Sequence, residues 1–395
     1  MMEGRRGMQL DFHYYATYCA AIIAGYTHDE SLDIAYSAQF VDECTRTLLG
    51  KLGGPLAAAT TQMKSELMDA GIDPISLQDI TRIWASFHFL PGDLYAKRDG
   101  CTKKYLHKYR LICNTNGELL KDTVELARGK SLQAAGIAMH VLADTWAHRY
   151  FAGTPSYAIN NTNNYFFEII PDGNGFTERE IRFNNNPASA DDPDRGVYTA
   201  SMRQVNENTI MNLGHGRAGH FPDYSYARYR YLPAWGQYAE VVKDNPSDYL
   251  HAFCQMIYAL KSLRDENGSF ETDRYEVNDI LPYRYEIRDI LVKRQTDACA
   301  EWKALAERLS GHEVEDFSIS KYQSGYRLAD QERKDDTFLG RFFVAALAQK
   351  SMVTNRIYSS GNRLAGVSID YDEKGFRGIR DFRLLLERRS EAEDE

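Results

Sequence analysis

The stretch Gly136-Ile137-Ala138-Met139-His140-Val141-Leu142-Ala143-Asp144-Thr145-Trp146-Ala147-His148 restricts the fold more than any other part of the chain. Its apolar residues, with Ala134 and Ala135 before it, leave no polar side, so a helix here runs through a core rather than along a surface. At about 100° and 1.5 Å per residue, His140, Asp144 and His148 fan over roughly 80° of that helix and span about 12 Å. All three side chains are therefore expected to look into one cavity. A buried polar group without a partner costs on the order of 2–7 kcal/mol, and a divalent metal, zinc first, satisfies two imidazoles and a carboxylate together. The competing reading is that Asp144 only orients His140 or His148 by hydrogen bonds.

Composition narrows the function classes. The chain has 395 residues, 43% hydrophobic and 26% charged, with 47 basic and 56 acidic side chains for a net charge of −9. That sign argues against a non-specific grip on nucleic acid or anionic lipid, so no stable nucleic-acid partner is expected, although a local basic channel stays open. The six cysteines, Cys19, Cys44, Cys101, Cys113, Cys254 and Cys299, form no CxxC pair. This excludes a cysteine zinc finger and suggests free thiols in a reducing compartment; in an exported protein Cys101 and Cys113 are the pair to consider. No apolar run follows Arg5 and Arg6, and no window of 18 apolar residues occurs, so neither a signal peptide nor a transmembrane helix is predicted. A soluble, cytoplasmic protein is the expectation.

Read in order, the chain gives helical patterns at Phe12 to Ala24, Leu32 to Leu49, 56–70, 103–112, 117–128 and 131–151. Residues 153–200 change texture: Pro155, Pro171, Pro187, Pro193 and the asparagine groups Asn160–Asn164 and Asn184–Asn186 mark a long irregular insertion, with short strands at Tyr165–Ile170 and Arg179–Phe183. Helices resume at about 199–213, 232–242, 246–264, 286–310 and 336–352. The fold class is thus mainly α. The expected organisation is a single all-α metal-binding domain over 1–395, with a core at 8–270, a helical extension at 271–386 and a frayed charged tail at 387–395.

Further histidines and aspartates occur in apolar or glycine-rich settings. Asp11-Phe12-His13 opens the first helix, Asp42 lies on an apolar helix face, and His88 sits between Phe87 and Phe89 at a helix-to-loop junction. Downstream, Gly214-His215-Gly216-Arg217-Ala218-Gly219-His220-Phe221-Pro222-Asp223 sets two histidines and an aspartate among glycines that permit close backbone approach. Each has a plainer explanation: His13 held by a backbone carbonyl, Asp42 paired with Arg46, His88 packed between aromatics, Asp223 capping a turn. The His28-Asp29 dipeptide falls at a helix start, where N-capping explains it better than an HD phosphohydrolase motif.

The order His13, Asp42, His88 in FHF, then His140-x-x-x-Asp144 and His148, resembles the all-α zinc-dependent phospholipase C and single-strand-specific nuclease superfamily. HYYATY, HVLADTWAH and GHGRAGHFPD look more closely like an uncharacterised bacterial branch of it, and the resemblance covers roughly residues 8–270. It implies a multi-helix fold of that type and two or three Zn2+ ions. The implied ligands are His13, Asp42, His88, His140, Asp144, His148 and His215, with Asp144 as a bridging carboxylate. Two departures are visible. Without a processed N-terminal residue, Asp11 takes the place of its amine; without a later H-x-x-x-E pair, His220 or Asp223 substitutes.

Such ions imply phosphoester hydrolysis, with Asp42 or Asp144 orienting the water and Arg217 neutralising the phosphate. The expected substrate is a small or lipid-headgroup phosphodiester. The alternatives are a single-strand nuclease or nucleotide phosphatase, using Tyr224, Tyr226, Tyr229 and Tyr231 with Arg228 and Arg230 as a stacking groove, and a non-catalytic metal-stabilised binding protein.

Overall fold

Helical periodicity along the chain is realised as packed helices, joined by a four-stranded antiparallel sheet and a two-stranded parallel pair, β3 and β4. The computed structural model describes residues 10–69, 74–162, 165–173, 175–181, 183–184, 197–198, 206–265 and 267–367. A π-helical turn, Asp11–Ala16, runs into α1 (Thr17–Ile23), followed by α2 (His28–Phe40), α3 (Arg46–Leu52), α4 (Lys64–Asp69), α5 (Pro74–Phe87), α6 (Lys103–Tyr109), α7 (Glu118–Ala127), α8 (Leu132–Ala147) and α9 (Tyr157–Asn160). Strands β1 (Phe166–Pro171), β2 (Phe176–Glu180), β3 (Phe183–Asn184), β4 (Val197–Tyr198), β5 (Arg228–Tyr231) and β6 (Val241–Asp244) come next. The chain then returns to helix in α10 (Asn245–Arg264), α11 (Arg284–Val292), α12 (Cys299–Ser310), α13 (Gln323–Leu328) and α14 (Phe338–Ser359). The fold is mainly α, and no helix among the described residues is long and apolar enough to cross a membrane.

The apolar sequence around His140 becomes α8, capped by the Ser131 hydroxyl at Ala134 N and buried along nearly its whole length. Its tightest neighbour is α2. A Cβ on Gly136 would stand 2.4 Å from the Ile34 carbonyl oxygen and 2.5 Å from Ser37 Cβ, so only glycine lets these two helices meet this closely. One apolar cluster runs from Phe12 to Ala365 and takes in Ile287, Trp302, Leu339 and Phe342. The region expected to be an extension therefore completes the same core as the N-terminal helices.

Several expected helices are shorter or different, for local reasons. The pattern over Leu32–Leu49 breaks into α2 and α3 because Thr45 accepts from Leu48 N and starts a new helix, which leaves Asp42 in the turn between them. The 56–70 stretch is a single 3-10 turn at Leu56–Ala58 and then α4, and 286–310 divides into α11 and α12. Residues 232–242 are not a helix. Pro233 and left-handed backbone at Gln237 and Tyr238 (φ 52° and 66°) limit helix to the 3-10 turn Ala234–Gly236, and Val241 begins a strand. Of the expected 199–213 helix, the described part holds only a 3-10 turn at Ile210–Asn212, where Asn212 Nδ2 donates to Asn206 O and Thr209 Oγ1. Residues 185–196 and 199–205, the leader at 1–9 and the tail at 387–395 lie outside the described residues.

The described part of the 153–200 insertion carries more regular structure than its composition suggests. It contributes β1 and β2 to an antiparallel sheet of order β2-β1-β5-β6, with Phe166 opposite Tyr231 and Glu168 opposite Tyr229. Alternation on β5 turns Tyr229 and Tyr231 inward, where Phe166 stacks on both rings (centroids 5.1 and 5.8 Å). All six cysteines are free.

Gly136→Ala is expected to destabilise the protein by about 3 kcal/mol, because the methyl group meets backbone atoms that cannot move aside. Urea unfolding of the metal-free variant checks this, and an unchanged midpoint would contradict the α2–α8 contact.

Candidate metal centre

His140 and Asp144, one turn apart on α8, face the N-terminal π-turn, the end of α2 and the end of α5. From the π-turn comes His13, stacked on the His140 ring at 3.9 Å, with Nε2 3.2 Å from Asp144 Oδ1. A one-turn π-helix is a recurrent device at functional sites, since it shifts side-chain register by one residue. The end of α5 brings His88, whose Nδ1 lies 3.2 Å from Asp144 Oδ2, 3.3 Å from His140 Nε2 and 3.8 Å from Asp42 Oδ1. The turn after α2 brings Asp42, with Oδ1 4.0 Å from His140 Nε2.

Proton positions follow from the outer faces of the rings. His140 Nδ1 lies 2.9 Å from the Ala38 carbonyl and His88 Nε2 lies 3.1 Å from the Thr60 carbonyl. A carbonyl only accepts, so each ring donates outward and turns a bare nitrogen inward. His88 Nδ1, His140 Nε2 and Asp144 Oδ2 are then three lone-pair atoms 3.2–3.3 Å apart with no hydrogen among them. Four donors about 2.0–2.1 Å from a tetrahedral zinc stand about 3.3 Å from one another, so this spacing suits a metal. Hydrogen bonding also leaves buried atoms unmet: both ring nitrogens of His13, Asp144 Oδ1 and Asp42 Oδ2 have no hydrogen-bond partner. The donor set, imidazole and carboxylate with the His88 and His140 tautomers fixed by backbone carbonyls, is one that could hold a metal ion.

A second group lies at the far end of α8. His148 falls just past the last helical residue as its C-cap and donates Nδ1–H to the His88 carbonyl at 2.7 Å. His215 likewise donates Nδ1–H to the Gly219 carbonyl at 2.7 Å, and both Nε2 atoms stand 3.2 Å from Asp223 Oδ1. Phe89 stacks on His148 at 4.7 Å. It presses so closely on Gly214, which has φ +54°, that a Cβ there would sit 2.2 Å from the ring. Asn245 at the start of α10 fixes the loop by donating to the carbonyls of Phe221 and Tyr224 at 2.8 Å each, and Tyr249 donates to the Asp223 carbonyl. The one cavity expected from spacing is therefore two adjacent groups. Asp144 stands between them, its Oδ2 3.5 Å from His148 Nδ1. Three sets have ligand atoms within 4.8 Å of one another: His13–Asp42–His140, His88–His140–Asp144 and His148–His215–Asp223.

Ionisation fits ligand duty at His140, His88, Asp144 and Asp223, whereas at His148 the Asp144 and Asp223 carboxylates outweigh burial and raise the ring above its ordinary value. Burial, with His13 alongside, pushes His140 down to about 3, and burial also lowers His88, so both rings are neutral near pH 7. Burial opposes ionisation of Asp144 and Asp223, but neighbouring histidines outweigh it, His148 at Asp144 and His215 and His148 at Asp223, and hold both well below the usual carboxylate range. Asp42 has no such compensation: burial and then the Asp144 charge raise it well above its ordinary value.

The remaining expected residues divide. His220 flanks the second group, exposed, with Nδ1 2.9 Å from Asp223 Oδ2. Asp11 is not brought to either group: one oxygen accepts from Phe12 N at 2.7 Å and the other from Ala298 N at 3.1 Å, tying the π-turn to α12, and burial raises its carboxyl to about 7. Arg217 is half-buried, with its guanidinium 5.7 Å from the Tyr157 ring centre. Arg46 pairs with Asp79 at 2.8 Å, which removes the plainer explanation for Asp42. His28 follows the true cap, Thr27, in a capping box with Glu30. The expected stacking groove does not form: Tyr224, Tyr226, Tyr229 and Tyr231 are buried, and Arg228 and Arg230 are held by Asp244, Glu178 and Glu240. The parts that sequence reasoning missed are the carbonyls of Ala38, Thr60, His88 and Gly219, which carry no side-chain signal, and the buried Asn245.

Asp42 gives a pH test of the metal-free protein. Its folded pKa is raised above the unfolded one, so the folded state loses stability as pH rises above about 4, where the unfolded carboxyl ionises. Metal-free Asp42→Asn is expected to be more stable than metal-free wild type at pH 7 by at least about 1 kcal/mol, with the gap closing towards pH 4. Denaturation at both pH values checks this, and a variant less stable at pH 7 would contradict it.

A model for one family matches residues 8–357 of the chain, and it is described as a family of unknown function, DUF6765. No curated protein and no solved structure matches the chain.

Proposed function

The chain belongs to the DUF6765 family, and we propose that it is a zinc-dependent phosphoester hydrolase, phospholipase C-like in fold and chemistry, acting on a small or lipid-headgroup phosphodiester. The observation that carries the metal is the meeting of His88 Nδ1, His140 Nε2 and Asp144 Oδ2, lone pair against lone pair, with both rings' protons committed outward. Catalysis rather than a purely structural role is supported by unequal exposure. His13, His140, Asp144, His148 and Asp223 are sealed, whereas Asp42, His215 and His220 keep 14%, 17% and 47% of their side chains open to solvent. Substrate would therefore approach past these three side chains.

Zinc bound here would supply Lewis acidity and bring a coordinated water's pKa towards about 7. The protein's own residues divide the other work. Asp42, with Oδ2 uncommitted, holds and accepts a proton from the attacking water. Asp144, with His13, His88 and His140 each 3.2 Å from its carboxylate, would share the metal with them. Arg217 is assigned to the phosphate charge. The nuclease reading loses its stacking groove, since the tyrosines it needs lie in the sheet core.

Elemental analysis of untagged protein is expected to give at least two zinc ions per chain, with the metal lost in Asp144→Ala. Hydrolysis of bis-p-nitrophenyl phosphate or phosphatidylcholine vesicles is expected to stop on chelation, return with zinc, and fall at least about 100-fold in His140→Ala. Full metal content and full activity in His140→Ala would refute the reading. Zinc without hydrolysis of any phosphoester, single-stranded DNA included, would support a metal-stabilised binding protein instead.

A further inference from the structure

Two polar residues of α14 are buried in the core without any role in the groups described above. Gln349 and Lys350 are 2% and 8% exposed. Lys350 Nζ donates to the carbonyls of Ala57 and Ala59 at 2.5 Å each, and none of the described ion pairs gives it a carboxylate. Gln349 Nε2 donates to the Ser86 carbonyl at 3.1 Å and to Thr123 Oγ1 at 3.0 Å. An ammonium held by two carbonyls and the Phe87 ring, 5.9 Å away, with no carboxylate bonded to it, is a costly thing to bury, and burial pushes this one down to about 7. A methionine of similar reach would fill the same space without that penalty.

What the pair holds explains its position. Ser86 is two residues before His88 on α5. Ala57 and Ala59 lead into Thr60, which bonds three ways: its carbonyl accepts the His88 Nε2 proton at 3.1 Å, its amide donates to the Cys44 carbonyl at 2.9 Å, and its hydroxyl donates to the Val41 carbonyl at 2.5 Å. Val41 and Cys44 bracket Asp42. Fixing 57–60 and Ser86 therefore fixes both the ring plane of His88 and the turn that presents Asp42.

We infer that Gln349 and Lys350 are positioning residues for the metal ligands His88 and Asp42, clamping from α14 the two segments that aim them, an inference that rests on the metal-centre reading above. The clamp comes from the C-terminal third of the chain and acts through Thr60, one step behind the ligands, where loss of a supporting hydrogen bond is expected to weaken metal binding rather than abolish it.

The test compares wild type, Lys350→Met and Val353→Ala for Zn2+ affinity by chelator competition, for the visible spectrum of the Co2+-loaded protein, and for the unfolding midpoint. Val353 is fully buried on the same helix, so its truncation lowers stability while leaving both Lys350 hydrogen bonds to the loop in place. The expected result is about 10-fold weaker binding and an altered Co2+ band envelope in Lys350→Met, with Val353→Ala keeping wild-type affinity and spectrum despite a lower midpoint. Equal affinity and an identical Co2+ spectrum in Lys350→Met would overturn the inference alone, as would an equal loss in Val353→Ala. A wild-type protein that binds neither ion would overturn the metal-centre reading and the inference with it.

Discussion

Three acceptor atoms facing one another with no proton between them set the terms for the centre of this protein. His88 Nδ1, His140 Nε2 and Asp144 Oδ2 stand closer than uncompensated lone pairs would settle, and the arrangement persists because each ring is held from behind by a carbonyl that takes its only proton. Much of the surrounding fold serves to place those carbonyls. The Ala38 carbonyl reaches His140 because Gly136 lets α2 lie against α8. The Thr60 carbonyl reaches His88 because the 57–60 loop is pinned. The second group repeats the pattern with the carbonyls of His88 and Gly219 behind His148 and His215. Without a cation such a site is frustrated, and a large core is what lets the fold hold it.

How far the sequence could be read depended on whether a feature belongs to side chains or to backbone. The apolar run around His140 announced a buried helix, and the burial of His13, His88, Asp144 and Asp223 followed from apolar or glycine-rich neighbours. Spacing also paired His140 with Asp144 correctly, since both lie within one unbroken helix. It misplaced His148, because α8 ends at Ala147 and the chain turns one residue later. Asp11 misled for a related reason: a carboxylate beside a ligand in sequence can serve a distant helix, here α12 through Ala298. Nothing in a residue pattern reports which carbonyl an imidazole will meet, so the outer-face hydrogen bonds were invisible.

The sheet was legible only in part. The strand pattern at Tyr165–Ile170 became β1, but β5, with four large side chains, carried no strand signal and the start of β6 read as helix, so pairing across the sheet overrode local signals. That pairing buried the tyrosines that, as a loop, would have suited a ligand groove.

The most direct test of the central claim is an anomalous difference map at the zinc absorption edge from a crystal of zinc-treated protein. The account predicts one peak within reach of His88 Nδ1, His140 Nε2 and Asp144 and another between His148 Nε2, His215 Nε2 and Asp223 Oδ1. Peaks confined to surface residues, with His88 and His140 still turned towards an empty centre, would contradict it.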